Sequence, residues 1–248
     1  MNKIILLISI IALTLTACKK DPAIPIPSFL TIHFTHTVDG VPLDLTTNES
    51  ELPYTNGAGQ NYNVKTLQYL ISNISLETNG STKTLKDVHF VDGKDASTLT
   101  LDLGELQNGT YSTLKFNFGL NEEMNISNAY VNEDFHTTMA WPDMMGGGYH
   151  YMILEGTFNN ETTFYNTHLG GTMGNDYSFQ YNEKTETSFF IDDKNGDIDI
   201  TINMDVNEWY NQPNTITLTT DGIMGNNDMQ MQLKNNGSRV FSNFVVYE

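Results

Sequence analysis

Residues 136–156 read HTTMAWPDMMGGGYHYMILEG. His136 and His150, the thioethers of Met139, Met144 and Met145, and the indole of Trp141 are grouped there around Gly146, Gly147 and Gly148. Imidazole with thioether is a ligand mix that favours Cu(I), whereas a thiol-free Zn(II) site would usually recruit a carboxylate. His168 has a related setting, ending the run FYNTHLGG just before two glycines that allow another group to approach the backbone. His36 closes the alternating run LTIHFTH. Where such strand ends converge, His36, His150 and His168 supply two or three imidazoles, with Met139, Met144 or Met145 as a thioether. The metal expected at such a site is copper.

Each of these residues also has a plainer use. An inward histidine serves as a hydrogen-bonded core residue, methionines fill the gap under a glycine turn, and Trp141-Pro142 makes a packed aromatic beside a rigid turn. His33, His89 and His136 read as surface or turn residues, with His136 the nearest candidate for a fourth ligand because it adjoins Met139 and Trp141. Other chemistries lack their signatures. There is no Gly-x-Ser-x-Gly elbow, no His-Glu-x-x-His pair, and the glycine run has no following Gly-Lys-Ser/Thr. The acidic run DDKNGDIDI alternates Asp193, Asn195, Asp197 and Asp199, but an EF-hand loop counted from Asp193 would need Gly and Glu where Ile198 and Met204 stand. An Asn195-Gly196 hairpin turn accounts for it.

The chain ends place this chemistry. A lysine at position 3, an apolar run from Ile4 to Leu15 and then Leu15-Thr16-Ala17-Cys18 resemble a bacterial lipoprotein signal, too short for a permanent span. Residues 1–17 are thus expected to be removed, Cys18 to be lipidated and 18–28, rich in proline, to form an extended tether. Cys18 is the sole cysteine, so a mature domain built this way has no disulfide, no cysteine nucleophile and no thiolate site. Twelve Lys and Arg against thirty Asp and Glu give a formal charge of −18, which disfavours nucleic acid and anionic membrane surfaces. The membrane contact expected is the lipid alone, with Lys19 and Lys20 pointing to the outer membrane by analogy with other lipoproteins.

Residues 29–248, with 39% apolar residues overall, are read as one domain. Its elements are strands. Leu30, Ile32, Phe34 and His36 share one face, as do Leu114, Phe116, Phe118 and Leu120, and the cleanest alternation sets Ile198, Ile200, Ile202, Met204 and Val206 inward. Residues 98–103 and 215–220 read as further strands. In YHYMILEG, alternation puts His150 with Met152 and Leu154, opposite Tyr149, Tyr151 and Ile153. Val64, Leu67 and Ile71 have helical spacing, which predicts one short helix running into a strand. The fold expected is all-β: an antiparallel β-sandwich of Greek-key type with that short helix.

The block TMAWPDMMGGGYHYMILEGTF, with HLGG about a dozen residues later, resembles the MbnP-like family of copper-binding proteins associated with methanobactin systems. FTHTVDGVPL, YNVKTLQYLISNISL, GIMGNND and NNGSRVF resemble the rest of that family's pattern. The resemblance implies a periplasmic or lipid-anchored copper carrier of the cell envelope, not an enzyme, with His150 and His168 as ligands and His36 as a third. It also implies a MauG-type di-haem cytochrome c peroxidase-like partner that oxidises a Trp to kynurenine, here Trp141 by position, with Trp209 as the other indole. A non-metal interaction module on the cell envelope, using exposed Tyr and Asn, is the competing reading; a copper oxidase ranks behind both.

Overall fold

The computed structural model describes the backbone of residues 27–247 apart from 79 and 192–195, and the side chains of all of these but 161, 183–188, 246 and 247. The expected signal peptide, Cys18 and most of the tether lie outside the described residues, as do Asp193 and Asn195. The strands are β1 (Ser28–Val38), β2 (Val41–Pro42), β3 (Tyr54–Thr55), β4 (Asn61–Tyr62), β5 (Thr66–Thr78), β6 (Ser81–Asp92) and β7 (Thr100–Leu106). They continue with β8 (Gly109–Phe118), β9 (His150–Phe158), β10 (Asn160–Gly170), β11 (Phe179–Ile191), β12 (Ile198–Asp205) and β13 (Phe241–Tyr247), with helices α1 (Glu208–Asn211) and α2 (Asn227–Gly237).

Two sheets result. One runs β13-β12-β1-β2, with β7 also on β1; the other runs β11-β8-β5-β9-β4-β3, with β6 also on β5 and β10 on β9. Their buried faces meet in an aromatic core: Phe241 of β13 lies edge-on to Phe116 and within 5.5 Å of Phe118, both on β8. Asn243 donates to the Tyr181 hydroxyl at 2.8 Å, tying β13 to β11 of the opposite sheet. All the residues expected inward on β1, β8 and β12 are buried, with His36 partly so. Among the described residues the sandwich is antiparallel except for one pair, β1 with β12, whose register runs Leu30 with Ile198 to Thr37 with Asp205. A parallel pair needs a long crossover, and the whole second sheet is built within it.

Two local expectations fail for physical reasons. The segment read as helix turning into strand is strand from Thr66 onward, buried along nearly its whole length. β5 pairs β6 along one edge, and β9 then β8 along the other, so it is interior, and a strand covered on both faces does not alternate. Asn73 at φ 52 and register shifts next to it break the period further. The 11-residue helix is instead α2, whose buried side includes Gln230 and Asn236, so no apolar stripe marks it in the sequence. Residues 215–220 do bury Ile216 and Leu218 in alternation but join neither sheet; the side-chain amide of Gln60 takes the place of a neighbouring strand, bonding Leu218 N–H at 2.7 Å and Leu218 C=O at 3.0 Å. β11 and β12, the strands on either side of the expected Asn195-Gly196 turn, belong to different sheets.

Candidate metal centre

The start of β9 and the end of β10 lie side by side. His168 pairs with Ile153, Leu169 with Met152, and then Gly170 with His150, skipping Tyr151. That register shift matters. Under strict alternation His150 would face away from Ile153 and from its cross-strand neighbour His168; with the bulge, the two imidazoles meet at 5.0 Å between centroids and nearly perpendicular. The expected grouping of His150 with Met152 and Leu154 is corrected accordingly.

Trp141 completes the corner. Ala140 bridges to Tyr149, and Trp141 N–H donates to Gly148 C=O at 2.9 Å, so the chain doubles back through Pro142 and a 3-10 turn, Asp143–Met145. Gly146, Gly147 and Gly148 all have positive φ, which is why the return needs three glycines. A Cβ on Gly170 would lie 2.6 Å from the indole, so the close approach expected beside HLGG is the seat of Trp141. The indole stands 4.6 Å from His150, centroid to centroid.

The hydrogen bonds select the tautomers. His150 Nδ1–H donates to Met139 C=O at 3.2 Å, leaving Nε2 with a lone pair. His168 Nε2–H donates to Glu155 Oε1 at 2.9 Å, leaving Nδ1 with a lone pair in the neutral ring. His150 Nε2, His168 Nδ1 and Trp141 Nε1 are buried and have no hydrogen-bond partner among the described residues. Burial, and then the neighbouring His168, lower the His150 pKa to about 4, which keeps its lone pair free at neutral pH. The His168 hydrogen bond holds the Glu155 carboxyl below its ordinary value. A carboxylate behind an imidazole whose other nitrogen is free is the arrangement that orients metal-binding histidines.

The remaining expected site residues are placed as follows. Met139 is fully buried, and its carbonyl oxygen accepts from both the His150 backbone N–H, at 2.6 Å, and its ring. Met145 is half-buried and Met144 is exposed, both on the 3-10 turn beyond Trp141. His36 is in the other sheet; its ring meets Tyr69, with Nε2 3.1 Å from the hydroxyl, and makes no ring contact with the pair. His136 bonds the Tyr149 hydroxyl at 2.9 Å and lines a cavity of about 380 Å³ with Trp141 and Asp143. Trp209 lies in the core between Phe118 and Phe179. Among the described residues, no group of three or more His, Cys, Asp or Glu is placed to hold an ion.

Two positioning residues escaped the sequence reading. Glu155 was visible in the Glu-Gly end of the block, at i+5 from His150, but its role depends on strand register. Gln230 of α2 is fully buried; it donates to His168 C=O at 2.7 Å and accepts from Gly170 N–H at 3.1 Å, capping the end of β10 from 62 residues away.

The model of the MbnP family matches residues 27–240, a span that contains every residue of this corner. The chain belongs to the MbnP family. Among solved structures, MbnP from Methylosinus trichosporium shares the fold at a TM-score of 0.57 and 13% identity, covering 89% of this chain and 99% of that one. No curated protein matches the chain. The likeness to that structure shows the shared architecture.

Proposed function

We propose that this protein is a lipid-anchored copper-binding protein of the cell envelope, a carrier with no catalytic role of its own, holding one copper ion at His150 and His168 beside Trp141. One observation carries the reading: two imidazole nitrogens and an indole nitrogen, on rings joined through His150, are all buried without partners among the described residues. Burying such groups unpaired is costly, and a bound ion would remove the cost for both imidazoles. Two neutral nitrogen donors without a cluster of carboxylates suit copper better than zinc or calcium. The MbnP membership supports the same metal through the family's resemblance stated above. In this reading His150 and His168 bind, Glu155 and the Met139 carbonyl orient the two rings, and the protein stores or delivers the ion.

Trp141 is the indole on which a MauG-type di-haem peroxidase-like partner would act to form kynurenine, and the cavity beside it, lined by His136 and Asp143, is where it can be approached. The lipid on Cys18 would keep the domain at the outer membrane. The test is metal analysis with intact mass on protein isolated from its own cell envelope, beside a His150→Ala/His168→Ala variant. The expected outcome is about one copper per chain in the native protein and none in the variant, with any mass displacement mapping to the Trp141 peptide and absent from Trp141→Phe. Folded, metal-free native protein of unmodified mass would sink the proposal and favour the non-metal interaction module.

A further inference from the structure

The two chain segments that build the metal corner continue past it and meet again. Beyond Trp141 comes the 3-10 turn Asp143–Met145; beyond Gly170 and Gly171 comes a turn closed by a bridge between Thr172 and Asn175. Met173 N–H donates to Met145 C=O at 2.9 Å and Thr172 Oγ1 to the same oxygen at 3.4 Å, so the turns are fastened tip to tip. Met145 is half-buried, while Met144 and Met173 are 85% and 66% exposed. Three methionines are therefore carried on these two fastened turns, Met144 and Met145 three and four residues beyond Trp141 and Met173 three beyond Gly170.

Packing does not account for this choice of residues. Met173 has φ 52, a conformation that glycine or asparagine adopts more easily than a long side chain, and it buries little in return. Met144 likewise buries little. Thioethers are neutral, soft and flexible; they take Cu(I) in preference to Cu(II), Zn(II) or Ca(II), and they bind it without releasing a proton. Asp143 in the same turn, on a chain of net charge −18, adds attraction for a cation.

We propose that Met144, Met145 and Met173 form a second, weaker Cu(I) site at the rim, on which the ion lands before passing inward. As the outer half of a transfer path the proposal rests on the copper reading of His150 and His168; as a binding site it can be tested apart from it. The experiment is an anaerobic Cu(I) titration against a chromogenic Cu(I) chelator, using the full chain, a Met144→Leu/Met145→Leu/Met173→Leu variant and the His150→Ala/His168→Ala variant. Leucine keeps bulk and apolarity, and circular dichroism checks folding. The native chain is expected to take two equivalents; the leucine variant keeps the tight one and binds the second at least about tenfold more weakly, while the histidine variant keeps only the weak one. A leucine variant that binds as the native chain does, or a native chain that stops at one equivalent, overturns the rim site. A histidine variant that still binds the tight equivalent would instead overturn the inner site, leaving the rim to be judged by the leucine variant. A second measurement uses Ag(I) as the probe: the methyl resonances of Met144 and Met173 should shift on its addition, and unshifted resonances would refute their ligation.

Discussion

The chain's two indoles are both buried, and both present an Nε1–H with no acceptor among the described residues. Their surroundings differ in kind. Trp209 lies 5.0 Å from Phe118 and 6.1 Å from Phe179, rings that offer no lone pair to its unused donor. Trp141 lies against His150, which lies against His168, and both imidazoles hold a lone pair that is equally unused. A lone buried donor in hydrocarbon is a packing cost of about 1–3 kcal/mol that a large core tolerates. A donor and two acceptors on touching rings, with none bonded to another, are held apart by their orientation. Glu155 and the Met139 carbonyl fix that orientation from behind. The first corner is a core; the second has the layout of a site.

Exchanging the roles of the two indoles is the most forceful way to break this contrast. Trp209→Ala is expected to cost about 3–5 kcal/mol, as large aromatic deletions in cores do, and to lower the thermal midpoint by roughly 6–20 °C while the remaining folded protein still holds one copper. Trp141→Phe should lower the midpoint much less and abolish any oxidative mass change. Calorimetry and metal analysis on the same preparations decide the matter: loss of copper in the Trp209 variant alone would mean that the site has been put at the wrong indole.

The two corners were also unequally legible in the sequence. Strict alternation on β1, β8 and β12 revealed the core because those strands have one buried face and one freer face. β5 concealed itself because it is covered on both sides, and α2 because it turns Gln230 and Asn236 inward. At the candidate site the residue types were plain: His150 and His168 stood out by spacing, together with His36, and Trp141 by the family resemblance. Their geometry was not. The bulge that skips Tyr151 reverses the face predicted for His150, and nothing local in YHYMILEG announces it, since it arises from the pairing with Gly170. His36 shared the promising position at a strand end, yet its strand belongs to the other sheet, where Tyr69 meets it.

A smaller perturbation sharpens the contrast by leaving all three rings in place. Glu155→Gln keeps an acceptor near His168 Nε2 but removes the charge that raises ligand basicity and fixes the ring. Changes to such orienting partners typically weaken metal affinity 10–100-fold, and that range is expected here for copper, with stability nearly unchanged because Glu155 is partly exposed. Competition titration measures it. Unaltered affinity would mean that His168 is oriented by its strand and by Gln230 alone.

The smallest effect concerns His36, a histidine that lies outside the corner. His36 has its Nε2 at the Tyr69 hydroxyl and is partly buried, and desolvation lowers its pKa from 6.5 to about 4. The sign follows from proton uptake: between those values the unfolded chain binds a proton that the folded chain refuses, so stability is full above about pH 6.5 and declines as pH falls toward 4. The loss is on the order of 1–3 kcal/mol. His89, also lowered by burial, acts in the same direction. Protonating the many carboxylates relieves repulsion on this acidic chain and opposes the trend, so the quantity to read is the difference between native protein and His36→Gln in urea unfolding at pH 7.5 and pH 4.5. The variant should lose less stability across that interval, and equal slopes would mean that His36 takes up its proton in the folded state.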